Sequence, residues 1–264
     1  MITSTANAQV KNLIQILNKP KVRREQGVFA VEGIKMFLEI PRHRLVKTYV
    51  SEKFISNPQL STYVEKCDYE VVNNEVFRHI SDTVTPQGIL AVVKQKELFT
   101  EDMFLKDRGN IFLILEDVQD PGNLGTIVRT AEGAGVSGII MTKNTVDIYN
   151  PKVIRSTMGA IFRVPFVYTD NMEMVIKTLK DKNTVIAAAH LSGKRNYFDE
   201  DFTGNTAFIV GNESNGISEK MASYADLLVK IPMRGKVESL NASVAASILM
   251  YEAFRQCEKC EKKI

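Results

Sequence analysis

Between residues 111 and 231, short apolar runs at 111–115, 138–141, 164–167, 184–189, 207–210 and 227–231 constrain this chain most. Each has the length of a strand, and helical stretches near 124–132, 151–158, 173–180 and 218–221 separate them. Runs that are apolar throughout need both faces buried, so the alternation predicts a mostly parallel α/β sheet covered by helices. A long last helix is expected over 242–257.

A smaller alternating unit is expected upstream. Val10, Leu13, Ile14 and Leu17 recur at helical spacing before Pro20, and Ile34, Phe37 and Leu38 do so before Pro41. Strands are expected at 28–31, 46–50, 69–72 and 89–93, with helices near 60–66 and 75–80. The run KQKELFTEDMFLKDRGN over 94–110 is charged and lacks a sustained period, so it reads as a linker. The expected organisation is therefore a domain at 1–93, a linker at 94–110 and a domain at 111–264. A chain of 264 residues, 44% of them hydrophobic, can fill two cores without disulfide staples.

The three cysteines, Cys67, Cys257 and Cys260, are too few for a secreted disulfide framework. No apolar run approaches the ~20 residues of a membrane span, and the N-terminus has no signal-peptide core. A reduced, cytoplasmic location and no membrane association are expected. Net charge is only +3, yet residues 1–53 carry ten Lys/Arg, among them Lys19, Lys21, Arg23, Arg24, Arg42 and Arg44, against four Glu. Residues 109–264 are neutral overall. A basic region on a neutral chain suits contact with a phosphate backbone, although a solvated surface would have the same composition.

Polar, glycine-containing stretches at 117–134, 210–218 and 231–243 each follow an expected strand. Ligands of open α/β sheets bind beyond the carboxyl ends of strands, so these loops can converge on one site. Gly122, Gly125, Gly133 and Gly135 do not fit the dinucleotide fingerprint, and neither Gly193-Lys194-Arg195 nor Gly235-Lys236-Val237 completes a phosphate loop. Cys257-x-x-Cys260 has no second pair for zinc, so no metal is expected. His43, His79 and His190 pair with no visible nucleophile.

The stretch 120–135, DPGNLGTIVRTAEGAG, resembles the first motif of the SpoU (TrmH) family of RNA ribose 2'-O-methyltransferases. FIVGNESNGIS at 208–218 resembles the second motif, and IPMRGKVESLNASVAA at 231–246 the third. Residues 1–93, mainly through Phe29-Ala-Val-Glu-Gly33, resemble the ribosomal-protein-like substrate-binding domain that many members carry. The resemblance implies a SPOUT-class parallel sheet whose C-terminal segment makes a deep trefoil knot, where periodicity alone predicts an unknotted sheet. It also implies a homodimer with an S-adenosylmethionine pocket near the subunit interface.

By the same resemblance, Asn123 and Arg129 match the polar residues of the first motif, Glu213 that of the second, and Ser239 and Asn241 those of the third. Gly211, Ile231 and Leu240 would contact the cofactor through their backbones, with Gly211 permitting close approach because it lacks a Cβ. Arg129 is the family's proposed base, a difficult role for a guanidinium of pKa above ~12; its alternative is to orient the hydroxyl and a phosphate bidentately. Glu213 would hold the loop bearing Asn123 and Arg129. Loop-fixing or helix capping is the competing role for Glu213 and Asn241, and capping is the expected role of Ser243.

The implied activity is S-adenosylmethionine-dependent methylation of a ribose 2'-hydroxyl in RNA, with 23S ribosomal RNA the expected acceptor. Transfer RNA is the alternative acceptor. A non-catalytic RNA-binding or ribosome-assembly factor is the alternative from another class, and intact Asn123, Arg129, Glu213 and Asn241 argue against it.

Overall fold

The computed structural model describes residues 1–96, 98, 100–104 and 109–261, with side chains as far as residue 258. It divides into two compact units, one of residues 1–96 and 147–162, the other of 97–146 and 163–264.

The first unit is built on strands β1 (Val28–Glu32), β2 (Leu45–Ser51), β3 (Tyr69–Val72) and β4 (Ile89–Lys94), in the order β1-β4-β2-β3. β4 runs antiparallel to both neighbours, and β3 is parallel to β2. Val10, Leu13, Ile16 and Leu17 of the Ala8–Asn18 helix bury their stripe against Val28, Ala30, Leu90 and Val92 of the sheet. Pro20 does stop that helix, but it also begins another, Pro20–Gln26, because a proline at the first helical position loses no hydrogen bond. The helix expected near 60–66 is instead a short turn of helix, Pro58–Ser61, continued by a 3₁₀ turn, Thr62–Val64.

Two arginines of the basic stretch are structural. Arg23, 2% exposed, donates to the carbonyls of Ile16 and Leu17 at 2.7 and 2.9 Å and to Asp147 Oδ2 at 2.6 and 2.9 Å. It caps the end of the first helix and ties down the 147–162 segment. Arg44 lies 5.8 and 5.5 Å from the ring centres of Phe29 and Phe162 and donates to the Lys94 carbonyl. Burial draws its pKa down from the ordinary arginine value. Neither side chain is available to a phosphate backbone, so the +6 of residues 1–53 overstates the charge on the surface.

The same contacts explain why 147–162 packs with the first unit although the sequence reading assigned it to 111–264. The Tyr149 ring stacks 4.5 Å from Phe29, and the Pro151–Thr157 helix lies on β1. These pairings join residues more than a hundred positions apart, and no local pattern announces them.

The second unit holds β5 (Ile111–Leu115), β6 (Gly138–Thr142), β7 (Phe166–Thr169), β8 (Val185–Ala189), β9 (Arg195–Asn196), β10 (Thr206–Val210) and β11 (Leu227–Lys230). Their order is β7-β6-β5-β10-β8-β11-β9, with every pairing parallel. The α/β parallel sheet expected from the apolar runs is present, and β5 and β10 are buried along their whole length. β9, two residues long, is too short to announce itself in the sequence.

Part of the expected linker belongs to this unit. Thr100–Met103 form a 3₁₀ turn, and the fully buried Met103 fills the space left by the missing side chain of Gly138. A Cβ on Gly138 would stand 2.3 Å from the Met103 sulfur. Met103 joins the core formed by Ile114, Ile140, Ile209 and the Met172–Asp181 helix. Positions 97, 99 and 105–108 of the expected linker lie outside the described residues.

Candidate active site

Strand register brings the three motif loops together. Val210 pairs with Leu115, so the first and second loops leave adjacent parallel strands at one level. The third loop leaves β11, beyond β8, and returns to the Ala242–Glu261 helix, which packs on the Pro121–Gly133 helix, β10 and β5.

The first loop enters its helix through Asp120, whose carboxylate accepts the Asn123 N–H at 2.8 Å while Pro121 occupies the first helical position. This N-cap turns Asn123, 9% exposed, into the site. Asn123 Nδ2 donates to Glu213 Oε1 at 2.8 Å, and Asn241 Nδ2 donates to Asn123 Oδ1, also at 2.8 Å. One residue from each motif thus forms a single chain, Asn241–Asn123–Glu213. Asn241 Oδ1 also accepts from the Ser243 backbone and hydroxyl at 2.9 and 2.6 Å, so it caps the last helix as well as joining the site. Ser243 is part of that cap, as expected.

Glu213 additionally accepts the backbone N–H groups of Gln119 and Asp120 at 3.2 and 3.1 Å. Partial burial alone would raise its pKa, but hydrogen bonds from Asn123 and from the backbone of Glu213, Gln119 and Asp120 outweigh it. The carboxyl is held below its ordinary value and is ionised at neutral pH.

Arg129 and Ser239 stand outside this network. Arg129 is exposed, about 9 Å farther along the helix at 1.5 Å per residue, and its side chain bonds no described residue. Glu213 therefore fixes the start of the first-motif helix but does not hold Arg129. Ser239 is exposed on the third loop, with no hydrogen bond to a described residue.

Gly211, Ile231, Ser239 and Leu240 line one cleft of about 750 Å³ together with residues of the second loop. That volume suits a ligand of nucleoside size, with apolar walls and convergent polar groups. Ile217, Val229 and Ile231 supply apolar surface, and Asn212, Glu213, Ser214 and Ser239 add polar side chains. These features fit S-adenosylmethionine. The loop itself also requires glycine at 211: a Cβ there would lie 2.1 Å from the Gly216 carbonyl oxygen and 2.4 Å from Ile217 N. The loop folds back on itself at Gly211, so a larger residue would distort the loop before any ligand arrived. His190 and Leu191, after β8, also line the cleft; they lie outside the three motifs, and their position after a strand end is the only signal in the sequence that marks them.

A parallel sheet whose strand-end loops interlock beside a nucleoside-sized cleft is the arrangement in which α/β proteins bind nucleotide-like ligands. Residues 110–251 match the SpoU rRNA methylase family, and residues 7–91 match the MRM3-like substrate binding domain. The chain belongs to the SpoU methylase family and is an RNA methyltransferase that uses S-adenosylmethionine. It is 33% identical to an uncharacterized tRNA/rRNA methyltransferase of Synechocystis, over 97% of this chain and 93% of that one. A SpoU methyltransferase of Streptomyces viridochromogenes in complex with AdoMet superposes with a TM-score of 0.87 at 25% identity, over 95% of this chain and 98% of the other. An RNA 2'-O ribose methyltransferase superposes with a TM-score of 0.81 at 30% identity, over 97% and 98% of the two chains.

Proposed function

We propose that this chain methylates the 2'-hydroxyl of a ribose in ribosomal RNA, with 23S RNA the acceptor. The observation that carries the reading is the Asn241–Asn123–Glu213 chain, which joins all three motif loops beside the cleft. Bound S-adenosylmethionine supplies an electrophilic methyl group. The chain's own task is then to fix the hydroxyl in line with it and take away one proton, which positioning and proton transfer can accomplish.

Gly211, Ile231 and Leu240 hold the cofactor in the cleft they line. Asn123, Glu213 and Asn241 set the cleft wall and the helix that carries Arg129. Arg129, exposed and without a partner among the described residues, meets the RNA. Its fork orients the hydroxyl and an adjacent phosphate while the hydroxyl proton passes to solvent; to take that proton itself, Arg129 would first have to give up one of its own. Ser239 on the rim completes the acceptor contacts.

In this reading the chain divides into an RNA-holding domain at 1–93, a linker at 94–110 and a catalytic domain at 111–264, with 147–162 packed on the first domain and Met103 of the linker in the core of the second. On the same reading the C-terminal segment, beyond β11, threads through a loop to make the trefoil knot. The enzyme is a cytoplasmic homodimer. Val244, Tyr251 and Phe254 are exposed along the last helix, leaving an apolar stripe for a second copy.

Transfer RNA is the second reading, favoured by the paired tRNA/rRNA name of the Synechocystis relative. The deciding experiment supplies methyl-labelled S-adenosylmethionine with ribosomal RNA or transfer RNA and digests the product to nucleosides. Label in a 2'-O-methylnucleoside of ribosomal RNA is expected. Label in a base, or in transfer RNA alone, overturns the assignment, and no transfer at all favours a binding factor.

A further inference from the structure

Asp117 lies just before the first motif and adopts φ 53°, the left-handed region, which costs most side chains but is tolerated by Gly, Asn and Asp. Here it makes the turn that takes the chain from the end of β5 into residues 118–120. Both its carboxylate and its backbone are clamped. Thr142, at the end of β6, donates its hydroxyl to Asp117 Oδ1 at 2.6 Å, and that same hydroxyl oxygen accepts the Asp117 N–H at 2.9 Å. Asn144 Nδ2 donates to Asp117 Oδ2 at 3.2 Å. The Asp117 carbonyl accepts Asn212 Nδ2 at 2.8 Å, next to Glu213 in the second motif. Gln119 and Asp120, two and three residues beyond the turn, present the N–H groups that Glu213 accepts.

We propose that Asp117 is a positioning residue for methyl transfer. Its left-handed turn, locked by Thr142, aims the Gln119 and Asp120 amides at Glu213 and anchors Asn212, and so sets the second loop as a wall of the cofactor cleft. The neighbouring residue reinforces this: Glu116 accepts the Ser218 backbone and hydroxyl at 2.7 and 2.6 Å. The second loop is thereby fastened near both ends to the two residues that follow β5. The proposal rests on the reading that Glu213 and its loop shape the cofactor site.

The conformation and the side chain can be separated by substitution. Glycine adopts the turn without strain, asparagine adopts it and keeps an acceptor for Thr142, and alanine disfavours it. Asp117→Asn and Asp117→Gly should retain S-adenosylhomocysteine affinity and single-turnover methyl transfer to ribosomal RNA within about threefold. Asp117→Ala should lose about tenfold in both, the size expected for forcing an ordinary residue into this region. Thr142→Ser should match the parent and Thr142→Val should follow Asp117→Ala, which keeps the test available if the alanine variant does not fold. Equal affinity and rate for the glycine and alanine variants, or for the serine and valine variants, would overturn the proposal. Glu213→Ala is measured alongside. If it leaves affinity and rate unchanged, the reading of the cleft wall fails; if it lowers them while Asp117→Ala matches Asp117→Gly, the positioning role alone fails.

Discussion

The basic stretch of the first unit and the polar loops of the second put similar residues to opposite uses. In residues 1–53, charge is abundant and two of the arginines are absorbed into the architecture: Arg23 seals a helix end and Arg44 lies against two aromatic rings. In the motif loops the neutral carboxamides of Asn123, Asn212 and Asn241, none of which affects a charge count, form the connections that shape a ligand site. A cation is informative about partners only once its burial is known. A carboxamide placed just after a strand is informative earlier, because the sheet itself decides where it will stand.

The sharpest break between the two uses is expected at Arg129, an exposed motif residue that stands outside the network. Arg129→Ala should lower methyl transfer by about 10²–10⁴-fold, the range for a lost positioning or proton-transfer group. S-adenosylhomocysteine affinity by calorimetry should stay unchanged, since Arg129 does not line the cleft. Arg129→Lys keeps the charge and loses the fork; partial activity would assign the effect to charge, and none to guanidinium geometry. An alanine variant with full single-turnover rate would make Arg129 merely structural.

A smaller but global effect is expected at Arg23. Arg23→Met keeps the aliphatic length but strands the Ile16 and Leu17 carbonyls and Asp147. It should cost about 3 kcal/mol of stability, near the low end for a broken buried pair because Asp147 retains some access to water. Chemical denaturation of the full chain measures it. A loss below about 1 kcal/mol would mean that Arg23 behaves as a surface cation after all.

Glu213 should add an acid-sensitive component on the other side of the comparison. Its carboxylate faces the Asn123 and Asn212 side chains and the Gln119 and Asp120 amides, while the nearby Asp120 carboxylate is turned to Asn123 N–H. The folded-state pKa is depressed below the ordinary 4.5, so the anion's contribution is complete above that value and is lost as pH falls through the folded-state pKa. S-adenosylhomocysteine binding should therefore persist at pH 5 and decline only below the ordinary carboxylate range. Glu213→Gln should flatten that decline; an unchanged acid limb in the variant would assign it to another group.

What the sequence disclosed follows the same division. Alternating apolar runs located the central strands and their loops, because burial on both faces leaves a local signature, and the resemblance to the family motifs singled out Asn123, Glu213 and Asn241. The role of Asp117 stayed hidden, since its turn depends on a hydroxyl 25 positions away on β6. Met103 was read as linker because the glycine that makes room for it lies on another strand. A second reason for Gly211 stayed hidden for a related cause: its neighbour is its own loop at Gly216, a close approach that no periodicity encodes. Long-range partners that fill a space or satisfy a polar atom were the consistent omission.

The smallest effect is expected at Arg24, beside Arg23 in sequence and opposite to it in role. Arg24 is exposed on the Pro20–Gln26 helix and its side chain bonds no described residue, whereas Arg23 is 2% exposed. Removing an unpartnered surface side chain should change stability by less than about 0.5 kcal/mol. If the first unit holds RNA through phosphates, Arg24→Ala should weaken ribosomal RNA binding a few-fold and reduce the slope of log affinity against log salt by about one. The slope is the informative readout, because the indirect effect of a destabilised fold would not remove one counterion. Filter binding between about 50 and 200 mM salt covers the range in which such contacts act. An unchanged slope for Arg24→Ala, and for Lys21→Ala on the same exposed helix, would move the RNA surface elsewhere and leave the basic stretch with its structural roles alone.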